Sequence, residues 1–168
     1  MVRKVRKVKN GNLTKEKINY SEQKIIGIDP GKSGGIAWIE NDLEIHANNC
    51  PDGADSMAEL MKEISGNDES ICYMELVHAF PTDGRSSAFK FGVNFGIWQG
   101  ILSTLNIKVE FVSPKKWQNK LGELPKIKKD RKNMLKQMAS DMSGLKATLK
   151  TADAILIALY GYSKCNQN

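Results

Sequence analysis

The chain has 168 residues, with 25 Lys or Arg against 19 Asp or Glu and a formal net charge of +6. That is the length of a single domain at about 100–200 residues per domain, enough to bury a core without disulfides or a metal staple. Mean hydropathy is −0.41, no apolar run nears the roughly 18–20 residues of a membrane span, and the first residues lack an apolar h-region, so neither a membrane partner nor a secretory signal is expected.

Residues 1–23 (MVRKVRKVKNGNLTKEKINYSEQ) are basic, polar and poorly patterned, which predicts a flexible basic arm ahead of a domain spanning 24–168. From Lys24 the pattern changes. KIIGIDP reads as a short apolar strand ending in Asp-Pro. GGIAWIE (34–40) and LEIHAN (43–48) follow as strands joined by a turn at Asn41 and Asp42. Residues 52–65 place Met57, Leu60, Met61 and Ile64 at helical spacing behind an acidic first turn. ICYMELV (71–77) is a buried type of strand, and HAFPTDGR a loop. Ser86 or Ser87 is the expected N-cap of a long helix reaching about Leu105. KVEFVS (108–113) is a fifth strand, stopped by Pro114. Residues 114–129 read as a Lys-rich loop with a short helix around Trp117. Residues 130–142 and 150–164 read as helices, the second strongly apolar (ADAILIALYGY). Three antiparallel strands followed by alternating helices and strands predict an α/β domain with a five-stranded mixed sheet and helices on its faces.

Charge is unevenly placed along this order. Residues 1–24 carry net +6, residues 25–106 net −8 and residues 107–150 net +8. An acidic half calls for cations or a metal, and a basic segment for phosphates. The cysteines, Cys50, Cys72 and Cys165, form no CxxC pair and have only His46 and His78 as possible co-ligands. That argues against a disulfide scaffold or structural zinc and for a reducing compartment.

Three acids stand where apolar residues are expected: Asp29 at the end of the first strand, Glu75 in ICYMELV, and Asp153 at the start of the apolar last helix. Singly, each has an ordinary explanation: a turn former, an exposed strand end, a first-turn helix acid. Together they form a set whose ionisation in apolar surroundings needs compensation. Oxygen ligands on separate elements suit Mg²⁺ or Mn²⁺, which keep several waters and bridge to substrate phosphate.

IIGIDPGKSGGIAWIE resembles the opening motif of the RuvC-type Holliday junction resolvases, a branch of the RNase H-like superfamily. MELVHAFPTDGRSSAFKFGVNFGIWQGIL resembles the family's second block, VSPKKWQNKLG and KKDRK its Lys-rich region, and KTADAILIALYGY its closing helix. The four blocks occur in order over about residues 24–163, and the wording of the second is closest to the phage-type and organellar branch. The resemblance implies an RNase H-like fold with Asp29, Glu75 and Asp153 as catalytic metal ligands holding two Mg²⁺ or Mn²⁺ ions. It also implies a homodimer that hydrolyses opposed strands of four-way DNA junctions to 5′-phosphate and 3′-hydroxyl ends. The cytoplasm of a bacterium or phage-infected cell is the expected location, with an organellar matrix the lesser alternative. One departure stands out. The family usually carries a fourth acid one helical turn before the last Asp, where this chain has Leu149 and Lys150.

Gly92, Gly96 and Gly100 recur every four residues in the long helix. Each glycine costs about 1 kcal/mol against alanine there, which suits a backbone closely approached, either by the domain's own sheet or, by the resemblance, across a dimer seam. Phe80 and Arg85 in the loop after Glu75 are the candidate junction wedge and phosphate contact. Lys115, Lys116, Lys120, Lys126, Lys128, Lys129, Arg131 and Lys132 are candidate DNA-phosphate contacts. The alternatives are a non-catalytic branched-DNA-binding protein and a related nuclease acting on other branched DNA or RNA–DNA hybrids. A two-domain actin-like ATPase is excluded by length.

Overall fold

The computed structural model describes residues 23–40, 43–66, 68–76 and 84–166. Residues 1–22 of the predicted arm, the predicted turn at Asn41 and Asp42, His78 and Phe80 lie outside these residues. Five strands and five helices follow one another as β1 (Lys24–Asp29), β2 (Gly35–Ile39), β3 (Ile45–Asn49), α1 (Ala54–Ser65), β4 (Ser70–Glu75), α2 (Arg85–Thr104), β5 (Lys108–Val112), α3 (Pro114–Gln118), α4 (Lys128–Ser143) and α5 (Ala152–Cys165).

The strands form one sheet in the order β3-β2-β1-β4-β5. β1 and β2 pair antiparallel, as do β2 and β3, whereas β1–β4 and β4–β5 are parallel. This is the predicted mixed sheet. The hairpins make the antiparallel side, and the helical crossovers α1 and α2 make the parallel side.

Alternation along the strands divides the core in two. Ile25 of β1 and Ile71 and Tyr73 of β4 pack with α4 and α5, through Leu135, Ala139, Ile155 and Ala158. Ile26, Ile28, Cys72 and Met74 point the other way, against Met57 and Met61 of α1 and Trp98 and Leu102 of α2. α5 is apolar nearly all round because it lies on the middle of the sheet, and it sits unusually close. A Cβ at Gly27 would collide with the Ala154 carbonyl and the Ala158 nitrogen, so no larger residue fits that point of β1.

Several predicted boundaries shift. α2 begins at Arg85 with Gly84 as N-cap, so Ser86 and Ser87 lie inside its first turn and neither caps it. α4 begins at Lys128, so Lys128 and Lys129, expected in a loop, lie on its first turn. α5 begins at Ala152 rather than Lys150. On α2, Trp98 and Leu102 are buried, whereas Phe89 is 73% and Val93 46% exposed. The three cysteines are unpaired. No helix among the described residues is long and apolar enough to cross a membrane.

Candidate active site

β1 and β4 run parallel, and the last pairs in their register are Gly27 with Tyr73 and Ile28 with Met74. One residue further, each strand ends in a carboxylate, Asp29 and Glu75. By strand alternation both fall on the face covered by α5. α5 contributes Asp153 from its first turn. Because Gly27 lets α5 settle onto β1, its N-terminus reaches the ends of both strands. The three acids thus come from three elements to one end of the sheet.

Asp29 is tightly set. Gly31 N donates to its Oδ1 at 3.1 Å, an Asx-type turn that orients the carboxylate. Gly34 lies flush against it: a Cβ there would collide with the Asp29 carbonyl oxygen and stand 2.6 Å from Cγ. Glu75 is 8% exposed, and its Oε1 accepts a hydrogen bond of 2.9 Å from the Trp117 indole Nε1.

The electrostatics follow from this crowding. Burial first, and then the Asp29 charge, push Glu75 up to about 7, against the Trp117 bond, with Asp153 adding to the rise. Burial and Asp29 likewise push Asp153 up to about 6, opposed by Lys132 and Arg131. Asp29 is itself raised by burial, against the Gly31 bond and Lys132. Asp29 is therefore the common neighbour of the other two. No ion pair among the described residues neutralises the trio.

Carboxylate oxygens of this kind are the donors that a divalent cation such as Mg²⁺ takes. Buried carboxylates that repel one another and lack a bound counter-charge are what a metal would relieve. Among the described residues, however, no group of three or more Asp, Glu, His or Cys closes around one point as a cage; Trp117 holds one oxygen of Glu75. Mg²⁺ does not need a cage, since it takes one or two carboxylates and keeps waters. The position of the missing fourth acid is also explained. Leu149 and Lys150 are exposed and lie in a turn ahead of α5 that is closed by a bond from Ala152 N to the Thr148 carbonyl at 3.0 Å, so both side chains at that position face outward.

Of the predicted basic contacts, Arg131 and Lys132 on α4 are brought to the carboxylates. Arg131 is also tied by Nη1 to the Pro125 and Lys126 carbonyls at 3.4 Å. Lys115, Lys116, Lys120, Lys126, Lys128 and Lys129 are exposed beyond them, and Arg85 is exposed at the start of α2. Gly92, Gly96 and Gly100 are exposed, and among the described residues a Cβ at any of them would meet nothing within 4 Å, so packing against those residues does not account for them. The bond from Trp117 to Glu75 was not expected from the sequence, although Trp117 stands in VSPKKWQNKLG, one of the blocks that carry the resemblance. A cleft of about 510 Å³ lies elsewhere, between β3 and residues 145–148, with none of the three carboxylates in its wall.

No protein-family model matches the sequence, and no curated protein matches it. Solved structures do match the fold. Thermus thermophilus RuvC in complex with Holliday junction substrate superposes with a TM-score of 0.59 at 18% identity, covering 86% of this chain and 96% of that one. A second Thermus thermophilus RuvC structure gives 0.58 at 20% identity with the same coverage. The chain has a RuvC-like, RNase H-like fold.

Proposed function

We propose that this protein is a metal-dependent endonuclease that nicks opposed strands of four-way DNA junctions, of the phage-type or organellar kind. The observation that carries the reading is the convergence of Asp29, Glu75 and Asp153 on one end of the sheet, Glu75 buried and the other two half-buried and mutually repelling, with Arg131 and Lys132 beside them. A neutral core would not collect such a set, whereas phosphodiester hydrolysis uses it.

Two Mg²⁺ or Mn²⁺ ions held by these carboxylates would supply the positive charge that activates water and stabilises the leaving oxygen. The chain's own residues do the rest. Gly31 and Gly34 fix the Asp29 carboxylate between the other two. Trp117 holds Glu75 and favours its ionised form. Lys132 and Arg131 offset carboxylate charge when DNA is absent and face the phosphate when it is present. The exposed lysines of α3, α4 and their connection track the flanking backbone, giving affinity that is independent of sequence and sensitive to salt. Products are a 5′-phosphate and a 3′-hydroxyl.

Paired incision of a two-fold substrate requires a two-fold enzyme. The open face of α2, with Gly92, Gly96 and Gly100 beside the exposed Phe89 and Val93, is where a second copy would dock. Phe80 and Arg85 would read the branch point. The deciding experiment is cleavage of a mobile four-way junction and of linear duplex, in Mg²⁺ and in EDTA. Metal-dependent, paired nicking of the junction alone is expected. Tight junction binding without nicking in any divalent metal would instead make it a branched-DNA-binding protein.

A further inference from the structure

Asn94 lies midway along α2, and by helical period its side chain projects well away from the face of Gly92, Gly96 and Gly100. Asparagine is a weak choice inside a helix because its amide competes for backbone groups. Here the amide reaches out of its own helix. Nδ2 donates to the Pro30 carbonyl at 2.5 Å and to Cys50 Sγ at 3.6 Å. An NH₂ group has two hydrogens, so both bonds can form together, and the carbonyl acceptor requires the nitrogen to sit on that side.

The two acceptors bracket the Asp29 turn. Pro30 is the residue after Asp29. Cys50 follows β3, and its N–H donates to the Gly34 carbonyl at 3.0 Å, where Gly34 is the residue pressed against the Asp29 carboxylate. One amide from α2 thus pins both sides of the turn from the face of the sheet opposite α5. Asn94 acts on the main chain from which the Asp29 side chain springs.

We propose that Asn94 is a positioning residue for Asp29, setting its spacing from Glu75 and Asp153 by clamping Pro30 and Cys50 to α2. The inference deepens the nuclease reading and rests on it.

The test uses the full-length chain with Asn94→Leu, which keeps size and loses the donor, and Asn94→Gln, which restores a donor. Three quantities are read: Mn²⁺ affinity by calorimetry without DNA, single-turnover cleavage at saturating junction, and melting in EDTA. Loss of a partner that orients a metal ligand typically costs about 10–100-fold in affinity or rate. Asn94→Leu is expected to weaken Mn²⁺ binding and slow cleavage within that range while binding the junction as the wild type does, and Asn94→Gln to recover part of both. Should Asn94→Leu fail to fold, Asn94→Ser, too short to reach Pro30, carries the same expectations. A variant that melts lower but keeps wild-type Mn²⁺ affinity and rate makes Asn94 a packing residue and overturns the inference, leaving the nuclease reading intact. A wild type that binds no Mn²⁺ and nicks no junction brings down the nuclease reading and this inference with it.

Discussion

The Trp117 indole N–H donates to Glu75 Oε1 at 2.9 Å, joining two buried side chains 42 residues apart in sequence. It ties α3, which follows β5 directly, to the end of the neighbouring strand β4. The bond favours ionised Glu75 against burial and the nearby Asp29 charge, both of which favour the protonated form. Trp117→Phe keeps most of the buried ring and removes only the donor. Its effect should be a Glu75 pKa above the value of about 7 in metal-free protein, read by NMR titration of the carboxyl carbon. An unchanged or lower value would show that the bond does not stabilise the charge. A stability loss of about 1–3 kcal/mol is expected at pH 8, where Glu75 is left ionised without its donor.

The raised acids make metal-free stability depend on pH in a definite direction. Glu75 and Asp153 stand at about 7 and about 6 in the folded protein, above their ordinary values of 4.5 and 3.8. Between these limits the native state binds more protons than the unfolded state, so stability falls as pH rises. The protein in EDTA should therefore melt higher at pH 5 than at pH 8, with most of the change between about 4 and 7. Saturating Mg²⁺ should restore the loss at pH 8, since it binds the ionised carboxylates. A melting temperature that climbs from pH 5 to pH 8 in EDTA would contradict the assignment.

The same repulsion separates stability from catalysis at each acid. Asp29→Asn, Glu75→Gln and Asp153→Asn keep shape and remove charge. Each should abolish cleavage while junction binding, supplied by the basic segment, stays within a few-fold of wild type. Glu75→Gln should also melt higher than wild type in EDTA at pH 8, because it removes an unpaired buried charge. A variant that nicks at a near-normal rate would remove that residue from the site.

The open glycine face of α2 predicts where two copies would join in the proposed homodimer. Among the described residues a Cβ at Gly96 meets nothing within 4 Å, so Gly96→Leu should leave the fold intact and, by replacing a glycine in a helix, not weaken it. It should nonetheless turn dimers into monomers in sedimentation and reduce paired incision to single nicks. If it stays dimeric, the seam lies elsewhere.

Local pattern carried much of this in the sequence, and long-range contact carried the rest. The run KIIGI ends in Asp29 because strand and turn signals are adjacent, and ADAILIALYGY announces a helix buried on the sheet. Those features place Asp29 and Asp153 at element ends, whereas Glu75, expected inside a strand reaching residue 77, stands at the end of β4. What no window of sequence shows is which face each acid takes. That depends on the β1–β4 register and on α5 seating against Gly27. The Trp117 bond to Glu75 and the Asn94 bond to Pro30 cross 42 and 64 residues, beyond any periodicity. Ser86 and Ser87 looked like caps, yet Gly84 takes that position and the helix starts earlier, since a backbone cap leaves little trace in composition. The glycine row pointed to close approach, and the open space around it among the described residues could not be read from that spacing.

Affinity and junction specificity should divide between the N-terminal segment and the residues that follow Glu75. Residues 1–20 carry Arg3, Lys4, Arg6, Lys7, Lys9, Lys15 and Lys17. If they act as a phosphate-binding tail, deleting them should weaken binding to junction and to linear duplex by similar factors. The slope of log affinity against log salt should fall by about 0.9 for each phosphate that is no longer neutralised. Junction preference should survive if, as proposed, branch geometry is read by a dimer and by Phe80 and Arg85. Phe80→Ala should do the reverse. Duplex affinity should barely change, while junction cleavage falls markedly, since a ring wedged into an opened step offsets an unstacking cost of about a few kcal/mol. Parallel binding curves at several salt concentrations and single-turnover cleavage of both DNAs separate the two effects. If the truncation erased junction preference while Phe80→Ala changed nothing, the arm would be reading the branch point and the two roles would be exchanged.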